Sequence, residues 1–214
     1  MSSLSVPDAR ACFARNLQSA LRAHGTRTAT AAHWLVAVSG GADSLLLLEW
    51  LATASEHGSS FTLHAVHFEH GLQEDAAAAS AIVTARCAMH KIPLTLLGLP
   101  VRCVSTGLHM TLEEAGHHLR RRALDTLARN VNASAILTGH QDGDLAETFL
   151  LRLTRGHGPA GWAGHGGVHG DLHGGGQRIP RLHLLRGLNR AAVRSAAYAA
   201  GLTWWDDPMN ADPH

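Results

Sequence analysis

The sequence lacks any uninterrupted apolar run approaching membrane-spanning length, and its opening residues, MSSLSVPDARACFARN, set no basic head before an apolar stretch. Neither a membrane anchor nor a secretory signal is therefore expected, and the cytoplasm is the default compartment. Cysteine is scarce: Cys12, Cys87 and Cys103 are odd in number, far apart and without a Cys-x-x-Cys pair. This argues against a disulfide framework, a zinc ribbon or an iron–sulfur site, and the three thiols are expected to be buried. An excess of one charge is missing too. A formal net charge of +1 neither supports nor excludes a nucleic-acid partner, because polyanion binders usually carry an obvious basic surplus. No internal repeat is found.

What is present suffices for one compact unit: 214 residues, 45% hydrophobic and 16% charged, can bury a sizeable core. The 17 histidines would make the chain more cationic as pH falls through about 6.5. His165, His169 and His173 repeat every fourth residue, the spacing by which a helix presents metal ligands. Glycine surrounds them, so a helix there is costly and a plain loop is the favoured reading.

Hydrophobic periodicity orders the chain. Phe13, Leu17 and Leu21 are four apart and predict a helix over 8–23. HWLVAV (33–38) reads as a buried strand, 44–55 as a helix, FTLHAVHF (61–68) as a strand, and the alanine-rich 75–90 as a helix. IPLTLLGL (92–99) predicts a third strand and SAILTG (134–139) a fourth, with a long helix over 111–130 between them and another over 144–155. Thr111 and Glu114 have capping-box spacing, with Leu112, Ala115, Leu119 and Ala123 on the inner face. Residues 156–177 are glycine-rich and aperiodic, a long mobile loop suited to covering an active site, and Asn189 caps a last helix ending at Gly201. Alternating strands and helices predict an α/β fold: a parallel sheet with helices on both faces and ligands at the strands' C-terminal ends.

The first strand runs into Ser39-Gly40-Gly41-Ala42-Asp43-Ser44. Glycines at 40 and 41 let backbone amides approach an anion, and the following helix points its positive dipole end at the same place. The lysine of the common mononucleotide loop is absent, and Asp43 stands at the helix start, where a carboxylate beside phosphates calls for Mg2+. The plainer alternative is a glycine turn with an Asp or Ser cap. Further on, Asp144 and Glu147 share one face of their helix, opposite Leu145, Phe149 and Leu153. Acids in a first helical turn also compensate the dipole without further purpose.

Ser-Gly-Gly-x-Asp-Ser after a first strand resembles the pyrophosphate loop of the N-type ATP pyrophosphatases. Four more segments narrow the resemblance to bacterial tRNA(Ile)-lysidine synthetases: VHFEHGLQ (66–73), TLEEAGHHLRR (111–121), TGHQDGDLAETFLLRLTRGHGPAG (138–161) and WWDDPMN (204–210). The resemblance implies a Rossmann-like fold of the adenine nucleotide alpha hydrolase type, with residues 1–214 as an N-terminal catalytic domain and the family's C-terminal tRNA-binding domains absent. It implies ATP on Ser39, Gly40, Gly41, Ala42, Asp43 and Ser44 with His67 near the adenine, Mg2+ at Asp43, and free L-lysine held by Asp144 and Glu147. Arg120, matching the second arginine of its motif, is implied to contact phosphate or the reacting base; its plain reading is a solvated helix face. His140 is implied to position a phosphate or carbonyl oxygen, against the plain reading of a satisfied strand-end histidine.

The implied reaction has the wobble cytidine of the CAU anticodon of tRNA(Ile) attack the α-phosphate of ATP, then lysine displace AMP to give lysidine. Gly143, Leu145, His117, Arg121 and Gln73 depart from the family pattern, and no role is carried to them. Two rivals share the loop: a thiolating tRNA enzyme, which would normally show paired cysteines, and a non-catalytic ATP-binding module. No membrane partner is expected, and a homodimer is compatible with the sequence.

Overall fold

The computed structural model describes residues 4–25, 30–58, 60–69, 76–139 and 179–206. Helix α1 (Val6–Gly25) buries Ala9, Phe13 and Leu17 at helical spacing, and Ser5 caps it by accepting from the Asp8 amide. Strand β1 (Ala32–Ala37) follows, then α2 (Ala42–Glu56), β2 (Phe61–Glu69) and α3 (Ala76–Met89). Beyond these come β3 (Leu94–Gly98), α4 (Val101–Leu108), α5 (Leu112–Asn130), β4 (Ala135–Thr138), β5 (Arg181–Leu182) and α6 (Arg190–Ala199).

The five strands form one sheet in the order β3-β2-β1-β4-β5, and every neighbouring pair is parallel. Strand side chains alternate between faces. Trp34, Val36, Ala65 and Leu137 meet α1, α2, α3 and α6 in the main core, where Trp34 stacks on Phe61 with centroids 4.6 Å apart. Leu35, Val66 and Ile136 point the other way, onto Leu124 and Ala128 of α5. The expected α/β architecture with both faces covered is thus observed. Leu45 through Leu48 are all buried because α2 lies between the sheet and the α1–α6 pair, which leaves it only a narrow polar side carrying Glu49 and Glu56.

Caps set the helix ends where the sequence placed them. The α5 capping box is complete, with the Glu114 amide donating to Thr111 Oγ1 and the Thr111 amide to Glu114 Oε2. Asn189 Oδ1 accepts from the Ala192 amide at the start of α6, which gives way to Gly201 at φ +65°.

Four expectations need correction. The third strand begins at Leu94 rather than 92, because Lys91 at φ 54° closes α3 and the Ile92 amide is spent on Cys87 O. Helix α4 and strand β5 have no counterpart among the expected elements. Leu112 is 45% exposed, since it lies in the first turn of α5 and the inward stripe begins at Ala115. Of the three thiols only Cys87 is buried; Cys12 is partly covered and Cys103, on the outer side of α4, is exposed. The helix expected at 144–155 and the loop at 156–177 lie outside the described residues. Among those described, no helix is long and apolar enough to cross a membrane.

Candidate functional site

Strand order reverses between β1 and β4: β2 and β3 extend the sheet on one side of β1, β4 and β5 on the other. In such a sheet the loops leaving the two central strands diverge and open a crevice at their C-terminal ends. The segment leaving β1 there is Val38–Gly41. Val38 still belongs to the ladder, donating to Val66 O at 2.9 Å, and the chain then turns into α2.

Small side chains knit the loop internally. Ser44 Oγ donates to Gly41 O at 3.0 Å, lies 3.0 Å from Ser39 Oγ and accepts from the Ser39 amide at 3.1 Å, while the Gly41 amide donates to Ser39 Oγ. Gly40 has φ +91°, a conformation that favours glycine, and a Cβ there would come 3.0 Å from Ala79 Cβ on α3. The first helical bond of α2 runs from the Leu45 amide to Gly41 O at 3.1 Å, so the amides of Ala42, Asp43 and Ser44 have no acceptor within the helix. Asp43 is half-buried in that first turn.

An anion cradle also needs its carbonyl oxygens turned away. His67, only 4% exposed on β2, donates from Nδ1 to Val38 O at 2.7 Å; a carbonyl only accepts, so Nδ1 carries the proton. Gly40 O is taken by the Trp205 amide at 3.0 Å. The two carbonyls flanking Ser39 are therefore committed to donors outside the loop. This geometry fits a phosphate group, and a single carboxylate beside it suits Mg2+, which binds through one or two protein carboxylates together with phosphate oxygens.

The end of β4 meets the loop directly. A Cβ on Gly139 would lie 2.9 Å from Ser44 N, 3.0 Å from Ser44 Cα and 3.1 Å from the Asp43 carbonyl carbon. Only glycine lets the strand end approach that closely, so the crevice predicted by the strand order has β4 for its second wall. Just behind it, buried Thr138 bonds through Oγ1 to His183 Nδ1 at 3.0 Å, joining β4 to the residue after β5.

The structure thus gathers Ser39, Gly40, Gly41, Ala42, Asp43, Ser44 and His67 in one place. Arg120 is exposed on α5, which lies across the sheet from α2. His140, Asp144 and Glu147 fall outside the described residues, as do the His165, His169 and His173 repeat and the residues after Asp206. Gly139, Ala79 and Trp205 were given no role by sequence reasoning. A glycine at a strand end was the one available signal, and it cannot say which backbone comes close. Among the described residues no group of three or more His, Cys, Asp or Glu is placed to hold a metal ion.

The chain is similar in sequence and in fold to known proteins. The chain is 40% identical over 184 residues to a tRNA(Ile)-lysidine synthase of Salinispora tropica, covering 84% of this chain and 51% of the relative. It is 34% identical over 182 residues to that of Zymomonas mobilis, with the same two coverages. The chain therefore spans about half the length of these curated relatives. Among solved structures, the U34-tRNA thiolase NcsA from Methanococcus maripaludis superposes with a TM-score of 0.74 at 15% identity, over 95% of this chain and 66% of that one. An NAD+ synthetase from Burkholderia pseudomallei gives 0.55 at 17%, over 96% and 71%. At such identities the likeness is one of fold. Residues 10–214 match the PP-loop domain, nearly the whole sequence including the loop and both walls of the crevice, and the chain belongs to that family.

Proposed function

We propose that this chain is the ATP-using catalytic domain of a tRNA(Ile)-lysidine synthetase, joining lysine to the wobble cytidine of a CAU anticodon. The carrying observation is the glycine contact at the switch point. Gly139, which immediately precedes His140 in the sequence, rests on the first turn of α2, so β4 ends against the phosphate loop. The similarity to relatives named as tRNA(Ile)-lysidine synthases supplies the reaction class.

In this reading ATP lays its phosphates along residues 39–44, with Asp43 providing the protein carboxylate for Mg2+, which would neutralise phosphate charge. The cytidine carbonyl oxygen attacks the α-phosphate, forming a phosphorus–oxygen bond as pyrophosphate departs. The helix amides hold the charge gathering on the phosphate oxygens, and Arg120 and His140 complement it from other elements. The side-chain amine of lysine, oriented by Asp144 and Glu147, then attacks the adenylated carbon and AMP leaves with the oxygen. The amine must arrive neutral or shed its proton, and the acidic pair or His140 is the acceptor. Alignment of three substrates is the domain's main contribution.

Nothing in the cysteines favours a thiolating enzyme. They lie on α1, α3 and α4, and burial pushes the Cys87 thiol up to about 11, far from a reactive thiolate.

The test is incubation with ATP, Mg2+, lysine and tRNA(Ile) bearing CAU, with and without lysine, following AMP and the modified base. Lysine-dependent formation of lysidine is expected. ATP binding without AMP release would instead identify a non-catalytic module. Glu147→Gln should raise the KM for lysine by about ten-fold or more, as loss of a charge-assisted contact requires, while ATP affinity stays put. An unchanged lysine KM would remove Glu147 from the lysine site.

A further inference from the structure

The phosphate loop is gripped from outside by a strap, residues 202–206. After α6 the chain reverses at Gly201, Leu202 donates to Ala197 O at 3.0 Å, and the Leu202 side chain is buried. The strap then returns along α6. There the Arg194 guanidinium lies 5.8 Å from the Trp204 ring centroid, and its Nη2 pairs with Asp206. Trp204 packs on the main core. Between these two anchor points, Trp205 donates its amide to Gly40 O at 3.0 Å, and Trp205 O lies 4.0 Å from where a Cβ on Gly41 would stand.

Gly40 is where an anion site of this kind is most easily spoiled. At φ +91° a glycine peptide has alternatives of similar energy, and one that swung its carbonyl inward would set a negative dipole against a phosphate. Ala79 blocks one side of the residue, and the Trp205 bond holds the other.

We propose that Arg194 is a positioning residue for nucleotide binding: by clasping Trp204 and Asp206 it keeps the Trp205 amide on Gly40 O, so that the loop presents amides and not a carbonyl to a polyphosphate. This rests on reading residues 39–44 as the phosphate cradle. Arg194 itself is half-exposed, and among the described residues its side chain meets Trp204 and Asp206 of the strap. A cation–π contact and an exposed ion pair contribute little to global stability. Their effect is therefore expected in the loop's conformation, and so in affinity for ATP, rather than in folding.

The experiment compares wild type, Arg194→Ala, Arg194→Lys, Asp206→Asn, the Arg194→Ala/Asp206→Asn double variant and Arg190→Ala, an exposed arginine in the first turn of the same helix. ATP binding is measured by titration calorimetry, and KM and kcat by pyrophosphate release. Arg194→Ala should raise the Kd and KM for ATP about ten-fold, the scale of one lost stack and ion pair, with kcat within about two-fold and the thermal midpoint lowered by only about 2–6 °C, so that the fold persists. Arg194→Lys keeps charge but not the planar stack and should fall between. The double variant should be no worse than Arg194→Ala, because both changes remove one clasp, and Arg190→Ala should match wild type. Wild-type ATP affinity in Arg194→Ala, or a loss shared with Arg190→Ala, overturns the assignment while the cradle stands. A wild type that binds no ATP overturns the cradle and the clasp together.

Discussion

Gly139 sets how closely β4 approaches the phosphate loop. The atoms a methyl group would strike there are backbone, Ser44 N and Cα and the Asp43 carbonyl carbon, and no rotamer change relieves them. Gly139→Ala must push the strand end and the first turn of α2 apart. A stability loss of about 1–3 kcal/mol is expected from overpacking at so tight a junction, and on the proposed reading of residues 39–44 ATP affinity should fall with it, because the displaced amides belong to that loop. Denaturant midpoints and ATP titrations on the same preparations check this; unchanged values in both would show that the two elements do not touch. The contrast with Gly40 and Gly41 explains what was legible at this scale. Those two glycines sit in a local motif whose purpose follows from strand, turn and helix in succession. Gly139 serves a contact with a segment far away in sequence, and its need for glycine exists only once β1 and β4 are neighbours. His67 belongs to the same class: its type and strand position were visible, but its bond to Val38 O depends on the β1–β2 register.

Elements hold the loop through their neighbours, and one of these links is pH-dependent. His90, just past the end of α3, bonds through Nδ1 to Glu56 at 2.8 Å and through Nε2 to Glu49 at 3.0 Å, both on α2, while Arg86 of α3 reaches Glu49 at 3.2 Å. Burial works against charging the imidazole, but the hydrogen bonds to Glu56 and Glu49 and their charges outweigh it, and its pKa lies above the ordinary 6.5. A raised folded-state pKa stabilises fully below about 6.5 and is lost as pH climbs through the higher folded value. Wild type should therefore exceed His90→Asn in urea midpoint most clearly at pH about 6.5 and just below, with the gap closing as pH rises through the higher folded value. A gap that widened with rising pH would reverse the sign of this link. Sequence periodicity located α2 and α3 but said nothing of this bridge, because a histidine after a helix has no preferred partner. Helix α4 was missed for a different reason. VRCVSTGL carries β-branched residues and a glycine, all weak helix formers, and the helix persists because Val101 is buried beside Leu99 and Ala115. Strand β5 is two residues long and acquires its identity only by pairing with β4.

At the level of the whole molecule, the α/β alternation was readable while the strand order was not, because periodicity does not say on which side of β1 the fourth strand docks. Nor does it reveal that the chain's last described stretch closes the structure begun by its first. Residues 179–206 supply β5, then α6 against both α1 and α2, then the strap over the loop. Val193, Ala196, Ala197 and Leu202 share one core with Phe13, Leu17 and the leucines of α2. Asn16 ties α1 to the same stretch, its Nδ2 lying 2.9 Å from both Leu184 O and Arg186 O. A chain ending at residue 178 would strip this cover from the apolar side of α2 that carries Leu45, Leu48 and Leu51. Each large apolar side chain so exposed forfeits about 1.5–3 kcal/mol, and a few of them exceed the net stability of a typical domain. The truncated chain should therefore lose its cooperative thermal transition and bind a hydrophobic dye, whereas the full chain unfolds in one step. A sharp transition retained by residues 1–178 would mean that α2 is not enclosed by α6, and the outer support assigned to the phosphate loop would fall with it.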